Sequence, residues 1–333
     1  MSTEELNHRQ WHQPGTYEVW YLTWNHPQTD QGFWLRYLSE APVEGPARGE
    51  LWFARFDPKN PARTFGFHKQ FEPPADREAP FALTIGGAQL GHDHAVGELA
   101  GAGHDVRWEL RWEPAAREIR QLPDLVYTKH GNLGVTSFLS PNPRVPLSGT
   151  LVIDGETLTF DRAIAGQTHV WGKRHATSWA WGRCAEFAGA PGAVLELVGA
   201  RQHRGVQLPT MLWLALDLDG EQHRFTQFRH IVRNRASWSG CRFEFSAWSP
   251  TVRVEGEMTC SPDQMVLAPY LDPDGTEVFC ANTEIGDARI TVWKRAGLGW
   301  REHRRLEAPG RAHFELGGRE RDPAVTREHL TVE

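Results

Sequence analysis

Residues 177–187 read TSWAWGRCAEF. Taken as a β-strand, the stretch puts Trp179, Trp181, Arg183, Ala185 and Phe187 on one face, and Ser178, Ala180, Gly182, Cys184 and Glu186 on the other. Large side chains opposite small ones suit a tapered β wall. Working outward, the same two-residue alternation recurs in YEVWYLTW (17–24), GFWLRYLSEA (32–41), GELWFARFD (49–57) and DVRWELRWE (105–113). It continues in AVLELVGAR (193–201) and TMLWLALDLDG (210–220), and across 149–161, 253–260, 277–285 and 288–295. Turn signals such as IDG (153–155), DLDG (217–220) and DPDG (272–275) separate these runs. No long helix is indicated, so the fold class is all-β and antiparallel. The PNPRVP run (141–146) reads as extended linker.

The two halves resemble each other. At an offset of 161 residues Trp20 falls on Trp181, Trp52 on Trp213, and Phe67 on Phe228. An internal duplication is therefore expected, as two up-and-down barrels or two curved sheets over 1–150 and 151–333. A barrel of about eight strands can hold one small apolar ligand.

Composition narrows the function classes. Of 333 residues, 40% are hydrophobic and 23% charged, as in a globular protein with a real core. A net charge of −6 without any Lys/Arg block argues against nucleic acid as a partner. No apolar run suggests a signal peptide or a transmembrane segment. The four cysteines lie far apart with no C-x-x-C pair, so a reduced, cytoplasmic protein is expected. Peripheral membrane contact and oligomeric state stay open. Fifteen tryptophans against five tyrosines imply a large aromatic core or an aromatic-lined cavity.

Several residues are candidates for chemistry. His169-Val170-Trp171 lies between Gly166 and Gly172, which suggests an irregular segment that aims side chains. An imidazole at His169 would titrate near neutrality, or could be satisfied by a backbone carbonyl. Lys173-Arg174-His175 reads as a solvated turn. Glu196 is the only acid in its apolar strand. Facing inward, it would be kept protonated by desolvation and able to donate; facing outward, it is a surface residue. Glu186 and Glu284 are the alternative acids. Trp179, Trp181 and Trp213 are candidate substrate-binding residues, since desolvated indole faces stabilise a passing cation by up to about 2 kcal/mol each. His92-Asp93-His94 lacks a third metal ligand and reads as a polar turn. Asp217, Asp219, Asp272 and Asp274 read as hairpin turn residues. No G-x-S-x-G or P-loop occurs.

The pattern T-H-V-W-G (168–172) followed by W-A-W-G-R-C (179–184) resembles the carotenoid 1,2-hydratase, tocopherol cyclase and AttH-like family. Y-L-D-P-D-G (270–275) and V-F-C-A-N-T-E (278–284) fit the same pattern. The resemblance implies two tandem lipocalin-like β-barrels. It also implies acid chemistry without a metal or organic cofactor: a prenyl double bond is protonated, and the tertiary carbocation is captured by water or by a phenol oxygen. The family's His-x-Trp falls on His169 and Trp171, and its acid on Glu196. The family's expected tyrosine–aspartate pair is absent there, since Glu196 is followed by Val198. The expected function is therefore a hydratase or cyclase acting on an isoprenoid or similar apolar substrate. The alternative is a lipocalin-like carrier of a hydrophobic small molecule. A glycosidase would need two facing acids, of which the sequence gives no sign.

Overall fold

The alternating runs assemble into two antiparallel sheets in a computed structural model that describes residues 3–11, 13–127, 136–202 and 209–332. The first half contributes β1 (Thr16–Asn25), β2 (Gly32–Ala41), β3 (Arg48–Phe56), β4 (Phe65–Phe71), β5 (Ala75–Glu78) and β6 (Phe81–Ile85). It continues with β7 (Ala88–Gly91), β8 (His94–Gly101), β9 (His104–Trp112), β10 (Ile119–Arg120), β11 (Thr136–Ile153) and β12 (Glu156–Gly172). The second sheet holds β13 (Ser178–Cys184), β14 (Val194–Arg201), β15 (Met211–Leu218), β16 (Glu221–Phe225) and β17 (Arg235–Ser239). Its remaining strands are β18 (Arg242–Trp248), β19 (Val252–Thr259), β20 (Val266–Leu271), β21 (Glu277–Ala296) and β22 (Gly299–Gly318). A last strand, β23 (His329–Val332), returns to the first sheet and runs parallel to β4.

The two sheets share a strand order. In each, a meander (β4-β3-β2-β1; β16-β15-β14-β13) joins through its first strand to a long hairpin (β12-β11; β22-β21). Each hairpin then continues into a second meander (β9-β8-β7; β19-β18-β17). Neither ladder closes among the described residues: β23 and β5 end one, β16 and β17 the other. Asp154-Gly155 and Asp219-Gly220 make tight hairpin turns with both residues at positive φ (53° and 83°; 53° and 81°). That is the turn whose twist matches the flanking strands.

Three apolar layers result. Trp20, Leu22, Trp24, Phe33 and Phe53 fill the inside of the first sheet. Ala180, Leu197, Leu214 and Phe314 fill the inside of the second. Trp34, Trp52, Trp179, Trp181, Trp213 and Tyr270 form a third layer where the outward faces of the two sheets meet. The central strands are thus buried on both faces, and read as almost continuously apolar. Five of the fifteen tryptophans lie in this middle layer and four more inside the first sheet.

Three details of the sequence reading are corrected. PNPRVP is part of β11, bent by register shifts rather than left as a linker, and both β11 and β12 pair within the first sheet. Residues 277–285 and 288–295 belong to one 20-residue strand with bulges between Thr283 and Ala288. The 161-residue offset slips by one at its first pair: Trp20 points inside its sheet, Trp181 outside. A one-residue slip in a strand exchanges its two faces.

Candidate active site between the two sheets

A cavity of about 390 Å³ lies between the outward faces. Tyr17, Val19 and Tyr21 of β1, with Trp34 and Arg36 of β2, form one wall. The other carries Trp179 and Trp181 of β13, Val198 of β14 and Trp213 of β15. Trp181 stands opposite Val198, and Val198 opposite Trp213, so these three form one row across adjacent strands. Tyr21 meets Trp181 edge-on across the gap, with ring centroids 5.5 Å apart. The indole nitrogens of Trp181 and Trp213 are buried without a hydrogen-bond partner among the described residues. Trp179, Trp181 and Trp213 therefore all line one cavity.

Trp179 owes its position to Gly317, its neighbour on β22. A Cβ at Gly317 would lie 2.1 Å from the indole, and the indole Nε1 donates to Glu315 Oε1 at 2.8 Å. Gly317→Ala is expected to displace the ring and destabilise the fold by about 1–3 kcal/mol. Thermal melts and binding of an apolar fluorescent dye would read this; an unchanged melt with unchanged dye binding contradicts it.

The expectation that His169, Trp171 and Glu196 gather at one site is corrected. Val170 lines the cavity, so its neighbours His169 and Trp171 point to the opposite face, inside the first sheet. His169 is fully buried and stacked on Trp20 at 4.7 Å. Its Nδ1 lies 2.7 Å from the Leu6 carbonyl and its Nε2 2.7 Å from Glu18 Oε1. Both ring nitrogens are engaged, and Glu18 also accepts the backbone N–H groups of Gln10 and Trp11. His169 thereby ties the N-terminal segment to the sheet, while Trp171 packs with Leu6 and Leu139. Nor is the segment irregular, since β12 runs through it. Gly166 is needed because a Cβ there would lie 2.2 Å from the Arg183 guanidinium.

Glu196 does face the other sheet, but in a polar seam outside the cavity lining. It accepts hydrogen bonds from Ser140 Oγ (2.6 Å) and from Gln121, with Arg183 Nε 3.7 Å away. Burial pushes its carboxyl up to about 7, against the pull of Arg183 and the two hydrogen bonds. Glu284 is buried in the same seam, 3.1 Å from His313 Nδ1, and burial raises its carboxyl well above the usual range. Glu186 is half-buried and also outside the cavity lining.

Among the described residues, the ionisable groups lining the cavity, apart from tyrosines, are His175, Glu315 and Arg36. His175, read as part of a solvated turn, stacks between Tyr17 (4.8 Å) and Trp179 (5.1 Å). Its Nδ1 lies 2.7 Å from Asp272 Oδ1, which also accepts the His175 backbone N–H at 2.9 Å. Asp272 is not a solvated turn residue: it is fully buried, and Arg319 Nη1 donates to its other oxygen at 3.0 Å. Burial opposes its ionisation, but the hydrogen bonds from His175 and Arg319 win and hold the carboxyl below its usual range. Both aspartates of DPDG belong to the turn, Asp272 through its backbone carbonyl accepting the Gly275 N–H and Asp274 through its side chain accepting the Thr276 N–H. Tyr17, Tyr21 and Tyr270 all have phenols raised by burial, so they stay neutral donors.

Other candidates are occupied elsewhere. His92 bonds Thr3 and Asn7, and His94 bonds Asp93. All four cysteines are free thiols.

The family model for tocopherol cyclase-like proteins matches residues 79–318. The chain is 25% identical over 223 residues to the probable chloroplastic tocopherol cyclase of Oryza sativa subsp. japonica, covering 62% of this chain and 47% of that protein. The chloroplastic tocopherol cyclase of Zea mays matches at the same identity, with 46% of its length covered. The chain thus spans about half the length of these curated relatives. Among solved structures, an AttH protein of Nitrosomonas europaea superposes with a TM-score of 0.53 at 15% identity, over 91% of this chain and 93% of that one. Kievitone hydratase of Nectria haematococca gives 0.53 at 10% identity, over 90% and 88%. At such identities these two likenesses speak for the fold. With the family match spanning β6–β12 of the first sheet and all of the second, well over half of the chain, the chain belongs to the tocopherol cyclase-like family.

Proposed function

We propose that the protein is an acid–base enzyme that protonates a double bond of an isoprenoid-like apolar substrate held between the two sheets, giving cyclisation or hydration. The observation that carries this reading is the His175–Asp272 pair on the wall of a tryptophan-lined cavity. With Nδ1 engaged by the ionised Asp272, Nε2 is the nitrogen left for a bound molecule. In the imidazolium form its proton passes to the less substituted alkene carbon; the π electrons form the new C–H bond and the N–H electrons stay on Nε2. The tertiary cation then faces the indoles of Trp179, Trp181 and Trp213, which stabilise it through their quadrupoles. Water or a phenol oxygen adds its lone pair to the cation and releases its proton to Glu315 or back to the imidazole. No proton is consumed overall in cyclisation, and hydration adds one water.

The shared strand order supports descent of the two sheets from one lipocalin-like unit by duplication. A cytoplasmic location remains our expectation from the sequence. Among the described residues no helix is long and apolar enough to cross a membrane.

Incubation with prenylated phenols and polyprenols in oxygen-18 water tests the reaction. A cyclised isomer or a labelled tertiary alcohol is expected. Recovery of every substrate unlabelled and uncyclised, with a lipid co-purifying from the host, would favour the carrier reading instead.

A further inference from the structure

We propose that Arg36 is the binding point for an anionic oxygen, a carboxylate or a phenolate, so that the cavity takes amphiphiles with an apolar body along the tryptophans and an acidic head at the guanidinium. This rests on the cavity being a ligand site, as proposed above, and adds the chemistry of the ligand's head.

Arg36 sits in the middle of β2, between the apolar Trp34-Leu35 and Tyr37-Leu38, opposite Tyr21 on β1 and Trp52 on β3. It is 4% exposed, and it lines both the large cavity and a neighbouring chamber of about 180 Å³. A buried guanidinium normally carries a carboxylate partner, because removing a lone charge from water is costly. Arg36 has no ion pair or hydrogen bond among the described residues, and its Nη1 is buried and unpartnered. What surrounds it is aromatic: its Cζ lies 4.3 Å from the Tyr270 ring centre, 4.9 Å from Trp52 and 5.8 Å from Trp34. Ring faces offset part of the desolvation but accept no hydrogen bonds.

The carboxylates that feel its charge, Glu40 and Glu50, hydrogen-bond to other groups and not to Arg36, although Glu40 keeps one buried oxygen without a partner. In the smaller chamber Arg48 binds Glu40 at 2.7 Å and Glu50 at 3.2 Å, and Glu50 also accepts the Trp52 indole N–H at 2.8 Å. In the large cavity Glu315 accepts from Trp179 and His175 is held by Asp272. Arg36 is therefore the charged group of the cavity wall left without a polar partner among the described residues. Its planar fork matches the two oxygens of a carboxylate, and charge-assisted bonds of this kind are the strong ones.

Dodecanoate and dodecanol share one apolar chain and differ in the head, and their binding can be followed by quenching of tryptophan fluorescence at about pH 8. The intact chain is expected to bind dodecanoate at least about tenfold more tightly than dodecanol, as one charge-assisted pair allows. Arg36→Met should bring dodecanoate down to the dodecanol level and leave dodecanol within about twofold. Arg36→Lys, which keeps the charge and loses the fork, should retain only part of the preference. It serves as the deciding variant if Arg36→Met fails to give a cooperative melt. Equal binding of the two molecules by the intact chain, or a preference undiminished in both variants, overturns the assignment of Arg36 while leaving the apolar cavity standing. Binding of neither molecule overturns the cavity reading as well.

Discussion

Arg183→Met is expected to lower stability by roughly 3–5 kcal/mol at about pH 8, the range for removing one partner of a buried ion pair. The deficit should be clearly smaller at about pH 5. Arg183 is 2% exposed, and it threads between the sheets: Nη2 donates to the Pro143 carbonyl at 2.6 Å, and its face lies on Gly166. Its charge is what holds down two carboxylates that burial pushes up, Glu196 and Glu284. A carboxyl whose folded pKa is raised binds its proton more tightly in the native state. Glu196 therefore contributes stability at low pH that is lost as pH rises from its ordinary 4.5 to about 7. Without Arg183 both acids move higher still, and the losing window extends upward. His313, in contact with both Glu284 and Arg183, is held neutral by burial and by the charges of Arg183 and Arg311. Adding Glu196→Gln to Arg183→Met should recover part of the loss. Urea unfolding at both pH values measures all of this; equal deficits at the two would refute the coupling.

His175→Gln is expected to reduce turnover by about 10²–10⁴-fold, the usual worth of a positioned general acid. Glutamine can keep a hydrogen bond to Asp272 but cannot deliver a proton. Binding of the apolar substrate should change little, because the tryptophan walls remain. Asp272→Asn should act differently. It leaves the imidazole in place but weakens the hold on its Nδ1 and backbone N–H, so turnover should fall less than in His175→Gln. Since Arg319 also depends on Asp272, a modest loss of stability should accompany it. Turnover and ligand binding measured on each variant separate the two roles. If Asp272→Asn turns over like the parent, Asp272 does not position the imidazole.

Much of the fold was legible because strands buried on one or both faces carry their own pattern. TSWAWGRCAEF gave β13, and its large-residue face became the cavity wall. β22 was not legible: GWREHRRLEAPG in its outer half is exposed or half-exposed on most positions and shows no clean alternation. The site was harder to read. Trp179, Trp181 and Trp213 were visible from type and spacing. His175 and Asp272 were hidden in KRHAT and DPDG, two stretches with real turn character, and their pairing spans 97 residues. Arg36 could have been found by the reasoning applied to Glu196, as a charge set in the apolar run 33–38. His169 stood out in the sequence as a glycine-flanked histidine, and it lies buried outside the cavity lining, bonded to Leu6 and Glu18.

The last strand gives the architecture an unexpected dependency. β23 follows the whole second sheet in the chain, yet it completes the edge of the first, with His329 buried against Trp52 and His68. Just before it, Glu328 bridges to Leu267 in the second sheet. Neither half is therefore self-sufficient: the first sheet borrows a strand, and each half owns only one wall of the cavity. Expressed as separate pieces, residues 3–172 would lack an edge strand and residues 178–332 would carry an orphan one. Mixing the two pieces should restore ligand binding only by reassembly, so the chamber belongs to the partnership between sheets and to neither sheet alone.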